Sequence, residues 1–458
     1  MNPWFDAEQH AEQAHQFYEA GQWDKALQAL RRALAVNPEQ SEWHFGMGLT
    51  LDAMGQHSLA IESYRRVLEL RGEDTEVLLH LACDLIHTGE ARQAVRVLER
   101  VSRLDSQNEP AYCHRIAAYV RLGKHDLAEQ MFYMARQLVD ECPMCYDHIA
   151  HSLAERRDLD RAIWCWQQSL RLDPHYPDAY ANLARAHRER GQHERAQHFY
   201  MQQLREDPGD IDALVQLGEL LMEMGRHADA AEKLRRVVEL DPAVGEAHLH
   251  LGEIALLAGH VEAAAARFDA AGRCDAQLPG VHLRLAQVAH QRGQLALARS
   301  HARAEMERVG HNVAQRLDLA RLLIELRMAA PAVLVVNPLL AADARHRLNR
   351  DTLSSAYFYR GVARILAGEP MPGTRDCRRA LRLNPRNSLA MRNLALAYLD
   401  QRRLRRAAYW LARARELRPH DPQVRQMRWR LWLARLTSVL RPRRVAGRSK
   451  GQSPRSKV

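Results

Sequence analysis

The chain of 458 residues contains no run of about 18 uncharged apolar residues, the length a helix needs to cross a bilayer, so no spanning segment is expected. Its start, MNPWFDAEQHAEQAH, lacks a basic region followed by an apolar one and does not read as a secretory signal. Seven cysteines, an odd number scattered along the chain, do not look like a disulfide framework and point to a reducing cytoplasm. Lysine is almost missing, with five against 61 arginines, a bias that suggests a GC-rich bacterial coding sequence. No G-x-x-x-x-G-K-[ST], H-E-x-x-H or G-x-S-x-G string occurs, and no carboxylate pair stands apart from the general helix surface. Enzymatic activity and a cofactor are therefore not expected. What remains, 47 % apolar and 27 % charged residues, suffices for a continuous core.

What is present is a period. Gly21, Gly55, Gly89, Gly123, Gly191, Gly225, Gly259 and Gly293 fall on one 34-residue grid, and Arg157 and Arg327 hold its two vacant slots. Five residues after each slot stands an alanine, from Ala26 and Ala60 through to Ala298 and Ala332. A fixed period of this length signals stacked repeats. In residues 177–208, Tyr180, Leu183, Ala184 and His187 form one helical stripe, and Ala196, Tyr200, Gln203 and Leu204 form a second. Gly191 ends the first helix because glycine tolerates the left-handed conformation of a helix stop. Asp207-Pro208 ends the second, since proline disfavours helix in the residue before it. The small residues at Ala184 and Ala196 let two antiparallel helices approach closely. Their equivalents include Ala14, Gly48, Ala82, Ala150, Gly218, Gly252, Ala286 and Ala320, with Ile116 the exception.

This pattern resembles the tetratricopeptide repeat family, over about residues 7–419 and roughly twelve units. The large residue expected in the second helix recurs as Leu30, Tyr64, Leu98, Phe132, Trp166, Tyr200, Leu234, Phe268 and Leu411. The resemblance implies an all-α, right-handed superhelical solenoid of antiparallel helix pairs whose first helices line a concave groove.

The expected organisation is a net acidic solenoid over 1–312, a degenerate repeat and candidate hinge over 313–353, basic units 11 and 12 over 354–419, an amphipathic capping helix over 420–441 and a disordered basic tail over 442–458. Unit 10 is the weak one: Pro331 and the run Val333-Leu334-Val335-Val336 are poor for its second helix. Unit 11 begins near Ser354, seven residues late. One degenerate repeat with a longer turn is the plainer reading, a hinge the sharper one. Charge changes here too. Residues 1–340 carry 37 basic and 49 acidic side chains, whereas residues 341–458 carry 29 and 7, which suggests an anionic partner for the C-terminal part.

Exposed first-helix positions of units 5 to 8 would be Asp147, His151, Glu155, Asp178, Arg185, Glu189, Asp212, Glu219, Glu223, Glu246 and Glu253. Carboxylates dominate, so the groove reads as a site for a basic peptide, as a seat for the chain's own basic tail, or as an ordinary solvated helix face. Units 2 to 4 instead present Phe45, Leu49, Leu79, Cys83, Ile86, Cys113, Ala117 and Val120, a candidate apolar groove. Asn182 and Asn393 stand where the family often holds peptide backbone. No lysine lies on these faces, which argues against the Lys/Asn clamp that some members use on a peptide C-terminus.

Cys142-Pro-Met-Cys145, with His148 and His151 just beyond, has the spacing of a zinc knuckle but supplies only two of four ligands. No second Cys-x-x-Cys exists, and Cys113 and Cys165 can only be suggested as neighbours. The pair is read as incidental turn cysteines, with no metal expected. His57, His125, His193 and His227 each follow a grid glycine by two residues, a pattern read as inter-repeat packing in preference to a pH-responsive ladder.

From Gln426 to Leu440, Trp429, Trp432, Leu433, Leu436, Val439 and Leu440 gather on one helical face, Arg428, Arg430, Arg435 and Arg441 flank it, and Leu431 is the misfit. Capping of the last repeat is the first reading, because a solenoid must cover its terminal apolar face. Contact with an anionic membrane is the second. Arg443 and Arg444 open a basic tail suited to anionic lipid or, less favoured, to nucleic acid. The expectation is thus a non-enzymatic protein–protein interaction scaffold in the cytoplasm. A peripheral assembly factor at the inner membrane face, for example in envelope or polysaccharide machinery, is the alternative, and a nucleic-acid-associated regulator the lesser one.

Overall fold

The computed structural model describes residues 3–138, 142–308, 310, 312–346 and 348–440, and among these every regular element is a helix. The helices come in antiparallel pairs set by the grid. Unit 3, for example, pairs Thr75–His87 with Ala91–Leu104. The slot residue between partners is left-handed throughout, and the vacant slots follow the same rule: Gly55 has φ 68° and Gly191 70°, but Arg157 has 66° and Arg327 57°. At these four slots the N–H one residue later reaches the carbonyl five residues back, as from Gln56 to Leu51 (2.8 Å), Asp158 to Leu153 (2.9 Å) and Met328 to Leu323 (2.8 Å). This is the Schellman helix stop. Its geometry is held by packing of the two helices, so arginine adopts it where glycine would do so without cost.

The small positions behave as the pattern requires. A Cβ on Gly48 would stand 2.5 Å from the Tyr64 ring, and one on Gly252 2.4 Å from the Phe268 ring. Each glycine thus makes room for the large residue of its partner helix. At the other end, Asp173 and Asp207 terminate second helices in extended backbone, and their carboxylates accept N–H groups two residues on, from His175 (3.0 Å) and Gly209 (2.8 Å).

Two compact units divide the chain, Met1–Lys233 and Leu234–Val458. In the second, one apolar core from Leu283 to Ala363 passes through unit 10. That unit's second helix does form, against the expectation of a poor helix, but only over the eight residues Ala329–Val336. Pro331 sits in its first turn, where the absent N–H breaks no internal bond. A 3₁₀ turn (Asn337–Leu340) and a short helix (Ala342–Arg345) supply the extra residues. Unit 11 then starts at Arg350, earlier than expected, because Asn349 caps it by accepting from Thr352 N–H at 2.8 Å.

The final helix, Pro422–Leu440, corrects the sequence reading of its faces. Among its described side chains, Val424, Met427 and Leu431 are those buried against unit 12. Trp429, Trp432, Leu433 and Leu436 are exposed. The capping face is therefore roughly opposite the tryptophans on the helix, and Leu431 is its centre. Arg441, Arg443 and Arg444 lie outside the described residues, as does the tail, and the side chains of Val439 and Leu440 are likewise not described.

Candidate functional site

The structure gathers His151, Glu155, Arg185 and Glu189 around one pocket of about 360 Å³ between the first helices of units 5 and 6, Pro143–Glu155 and Ala179–Glu189. Trp166 and Asn182 also line it, with Arg157 at its edge. The Asn182 amide oxygen accepts from Arg185, and its nitrogen stands 3.5 Å from His151 Nε2. Arg157 meets Glu189 at 2.6 Å. The pocket thus offers exposed cationic and anionic groups around an indole floor.

Asp147 is not an open groove residue. It is 8 % exposed, and its Oδ1 accepts the Trp166 indole N–H at 2.9 Å. Most remaining carboxylates are partnered across repeats. Arg188 Nη1 holds Glu219 at 2.9 Å and Nη2 holds Glu223 at 2.7 Å, while Arg284 Nη2 holds Glu253 at 2.6 Å. Burial opposes the charge on Glu253, but His250 and Arg284 outweigh it and keep that carboxyl below the usual range. Asp178, Asp212 and Glu246 are exposed. Asp178 is left-handed at φ 58° just before its helix, and Glu246 and Glu253 belong to the second compact unit. Arg157, Arg188 and Arg284, which neutralise much of the acidic stripe, were not identified as its partners in the sequence because each sits one repeat away from its carboxylate.

The apolar positions of units 2 to 4 differ in their exposure. Ile86, Cys113 and Val120 are buried, and Phe45, Leu49, Leu79, Cys83 and Ala117 are half-buried.

Two tetratricopeptide repeat profiles match the chain, one at residues 12–75, 215–279 and 375–422, the other at 153–220 and 188–232, together more than half of it. The chain belongs to the tetratricopeptide repeat family. No curated protein sequence matches it. Among solved structures it is similar to the Cut9–Hcn1 hetero-tetramer of the APC/C, at 14 % identity and TM-score 0.48, over 91 % of this chain and 95 % of that one. It is similar to yeast Tom70 at 15 % identity and TM-score 0.39, over 95 % and 97 %. YrrB, a TPR protein with an unusual peptide-binding site, matches at 16 % identity and TM-score 0.33, over 38 % and 90 %. Family membership points to a protein–protein interaction scaffold.

The basic units of this tetratricopeptide protein contain a second recess, of about 540 Å³, lined by Arg375, Arg378, Arg379 and Arg382 with Leu381 and Trp410. The charge count located the region but not the residues, because four arginines at this spacing share a face only once the helix Pro370–Leu383 is in place. On the same helix Asp376, 2 % exposed, is gripped by Arg360 (2.8 and 3.0 Å) and Arg364 (2.7 Å). On the final helix, Trp429 and Trp432 meet edge to face at 5.5 Å between ring centroids, with Arg425 and Arg428 beside them.

The cysteines correct the sequence reading twice. Cys113 and Cys145 form a disulfide, a pairing the sequence reading did not anticipate. Cys142 lies 3.2 Å from Cys113, and Glu109, unnoticed in the sequence, joins the group. Cys165 is not part of it, and His148 and His151 turn to Asp147 instead. Burial, and Glu109 beside it, push the Cys142 thiol up to about 12.

Of the histidines after the slot glycines, His57 and His125 make contacts to the following repeat. His57 Nδ1 meets Asp84 at 2.8 Å and Asp52 at 3.1 Å, and His125 Nδ1 meets Ser152 at 2.9 Å.

Proposed function

We propose that this protein is a scaffold that holds a polypeptide segment of a partner against the first-helix faces of units 5 and 6. The observation that carries this is the convergence of Trp166, His151, Asn182 and Arg185 on one pocket. Exposed Arg185 and half-buried His151 suit backbone carbonyls and acidic side chains, held over the buried indole of Trp166 and amide of Asn182. Exposed Asp178 and Asp212 nearby suit basic residues of the same segment. The reading is tested by affinity capture from native lysate, with full-length protein compared against Asn182→Ala/Arg185→Ala and against Asp178→Lys/Asp212→Lys. Proteins retained by the parent and lost from either variant support it. An identical set on all three contradicts it.

The exposed tryptophan face favours a second reading, docking of the C-terminal helix on an anionic membrane. Trp429 and Trp432 are 64 % and 52 % exposed while the same helix already caps unit 12 with its other side. Indoles flanked by arginines suit the interface of a bilayer, and no described helix is long and apolar enough to cross one. Sedimentation with phosphatidylglycerol vesicles, absent with phosphatidylcholine and lost in Trp429→Ala/Trp432→Ala, is the expected result. Equal sedimentation of that variant removes the reading.

A further inference from the structure

Four potential metal ligands converge where unit 4 meets unit 5. Glu109 and Cys113 are one turn apart on the helix Glu109–Arg121, so they share a face. Cys142 is the N-cap of the helix Pro143–Glu155, and Cys145 lies in its first turn. One ligand atom from each of the four lies within 4.8 Å of all the others. Cys142 Sγ is 3.2 Å from Cys113 Sγ, and Glu109 Oε1 is 2.9 Å from Cys113 Sγ and 3.9 Å from Cys145 Sγ.

The disulfide does not account for this grouping. Once Cys113 and Cys145 are joined, neither carries an S–H, yet a carboxylate oxygen faces both sulfurs and a third thiol stands beside them. A divalent cation gives all four groups a common partner. Tetrahedral Zn²⁺ with Zn–S of about 2.3 Å sets its ligand atoms roughly 3.7 Å apart. The Cys113–Cys142 and Glu109–Cys145 separations of 3.2 and 3.9 Å bracket that spacing, and the main adjustment is opening of the Cys113–Cys145 pair. The backbone adds an independent sign, because the Cys145 N–H is directed at Cys142 Sγ at 3.3 Å. This N–H belongs to the first helical turn, where no carbonyl is available to it, and donation to sulfur stabilises a thiolate. Cys113 and Cys145 are 0 % and 2 % exposed, as suits a closed structural site, and a thiolate-rich set selects a borderline-soft ion such as zinc.

We infer that the reduced protein binds Zn²⁺ through Glu109, Cys113, Cys142 and Cys145, tying the first helix of unit 4 to the first helix of unit 5. The tied helix carries His151, Ala154 and Glu155, so the metal fixes one wall of the pocket described above. The site itself stands whether or not that pocket holds a partner.

The test uses full-length protein purified under reductant, with zinc counted by mass spectrometry and Co²⁺-substituted protein read by visible absorption. A single equivalent of zinc and a tetrahedral, thiolate-to-cobalt spectrum are expected. Both are lost in Cys113→Ser and Cys142→Ser and kept in Cys165→Ser. Glu109→Gln, which leaves three thiolates, lowers zinc affinity by roughly tenfold or more. Should a cysteine variant fail to fold, the parent cobalt spectrum and the Glu109→Gln affinity decide. Fully reduced protein that takes up no zinc, or zinc retained in Cys142→Ser, overturns the site.

Discussion

The indole N–H of Trp166 donates to Asp147 Oδ1 across 2.9 Å, and both residues are buried. This bond locks the two helices of unit 5 together and takes Asp147 out of the set of groups a partner can reach. Asp147→Ala leaves a buried donor without an acceptor, which costs about 1–3 kcal/mol. Urea denaturation checks this. Asp147→Asn, which keeps a carbonyl acceptor, is expected to lose less.

The two kinds of special position on the grid respond in opposite directions. Gly48→Ala pushes a methyl into the Tyr64 ring, at 2.5 Å before relaxation, and is expected to cost about 1–3 kcal/mol. Arg327→Gly relieves a left-handed backbone at φ 57°. That relief is worth about 1–2 kcal/mol, offset in part by the greater freedom of glycine in the unfolded chain, for a net gain of about 0.5–1 kcal/mol. Thermal melts of the two variants, moving in opposite directions, check the assignment.

Asp84 gives unit 3 a pH dependence. Burial drives its carboxyl up to about 7, the His57 hydrogen bond opposes this, and Asp52 adds to it. His87 stacks on His57 at 4.6 Å on the same side. Because the folded value lies above the ordinary 3.8, the folded state holds the proton more tightly. The stability this confers is complete below about pH 4 and is lost as pH rises through 7. Asp84→Asn is expected to flatten that profile, so the parent loses melting temperature relative to the variant between about pH 4 and pH 8. Parallel profiles across that range would contradict it.

The final helix has separable faces. Leu431→Ala removes a buried side chain from the cap and is expected to cost about 2–4 kcal/mol. Trp429→Ala/Trp432→Ala changes exposed residues and leaves stability within about 1 kcal/mol. Denaturation midpoints of the two variants distinguish them.

The fold was legible because each repeat announces itself locally, in the slot residue, the alanine five residues on and the large side chain of the second helix. Even the two arginine slots adopt the backbone that the grid requires. What escaped the sequence depended on contacts between repeats. The acidic stripe looked free because Arg188 and Arg284 reach their carboxylates only across a repeat boundary. Glu109 was missed as a companion of the cysteines because its link to Cys142 and Cys145 spans a whole helical pair. The faces of the final helix are exchanged relative to the sequence pattern because the shorter stripe of Val424, Met427 and Leu431 is the one that packs on unit 12, while the larger stripe with Trp429 and Trp432 stays exposed.

Holding of a polypeptide segment at units 5 and 6 is tested most directly by panning a displayed random-peptide library on the full-length protein. Affinities of the enriched peptides are then compared between the parent and Asn182→Ala/Arg185→Ala. Peptides that converge on a common motif and lose at least roughly tenfold in affinity, about 1.4 kcal/mol, with the variant are the expected result. Enriched peptides that bind both proteins equally would contradict the assignment of partner binding to this pocket.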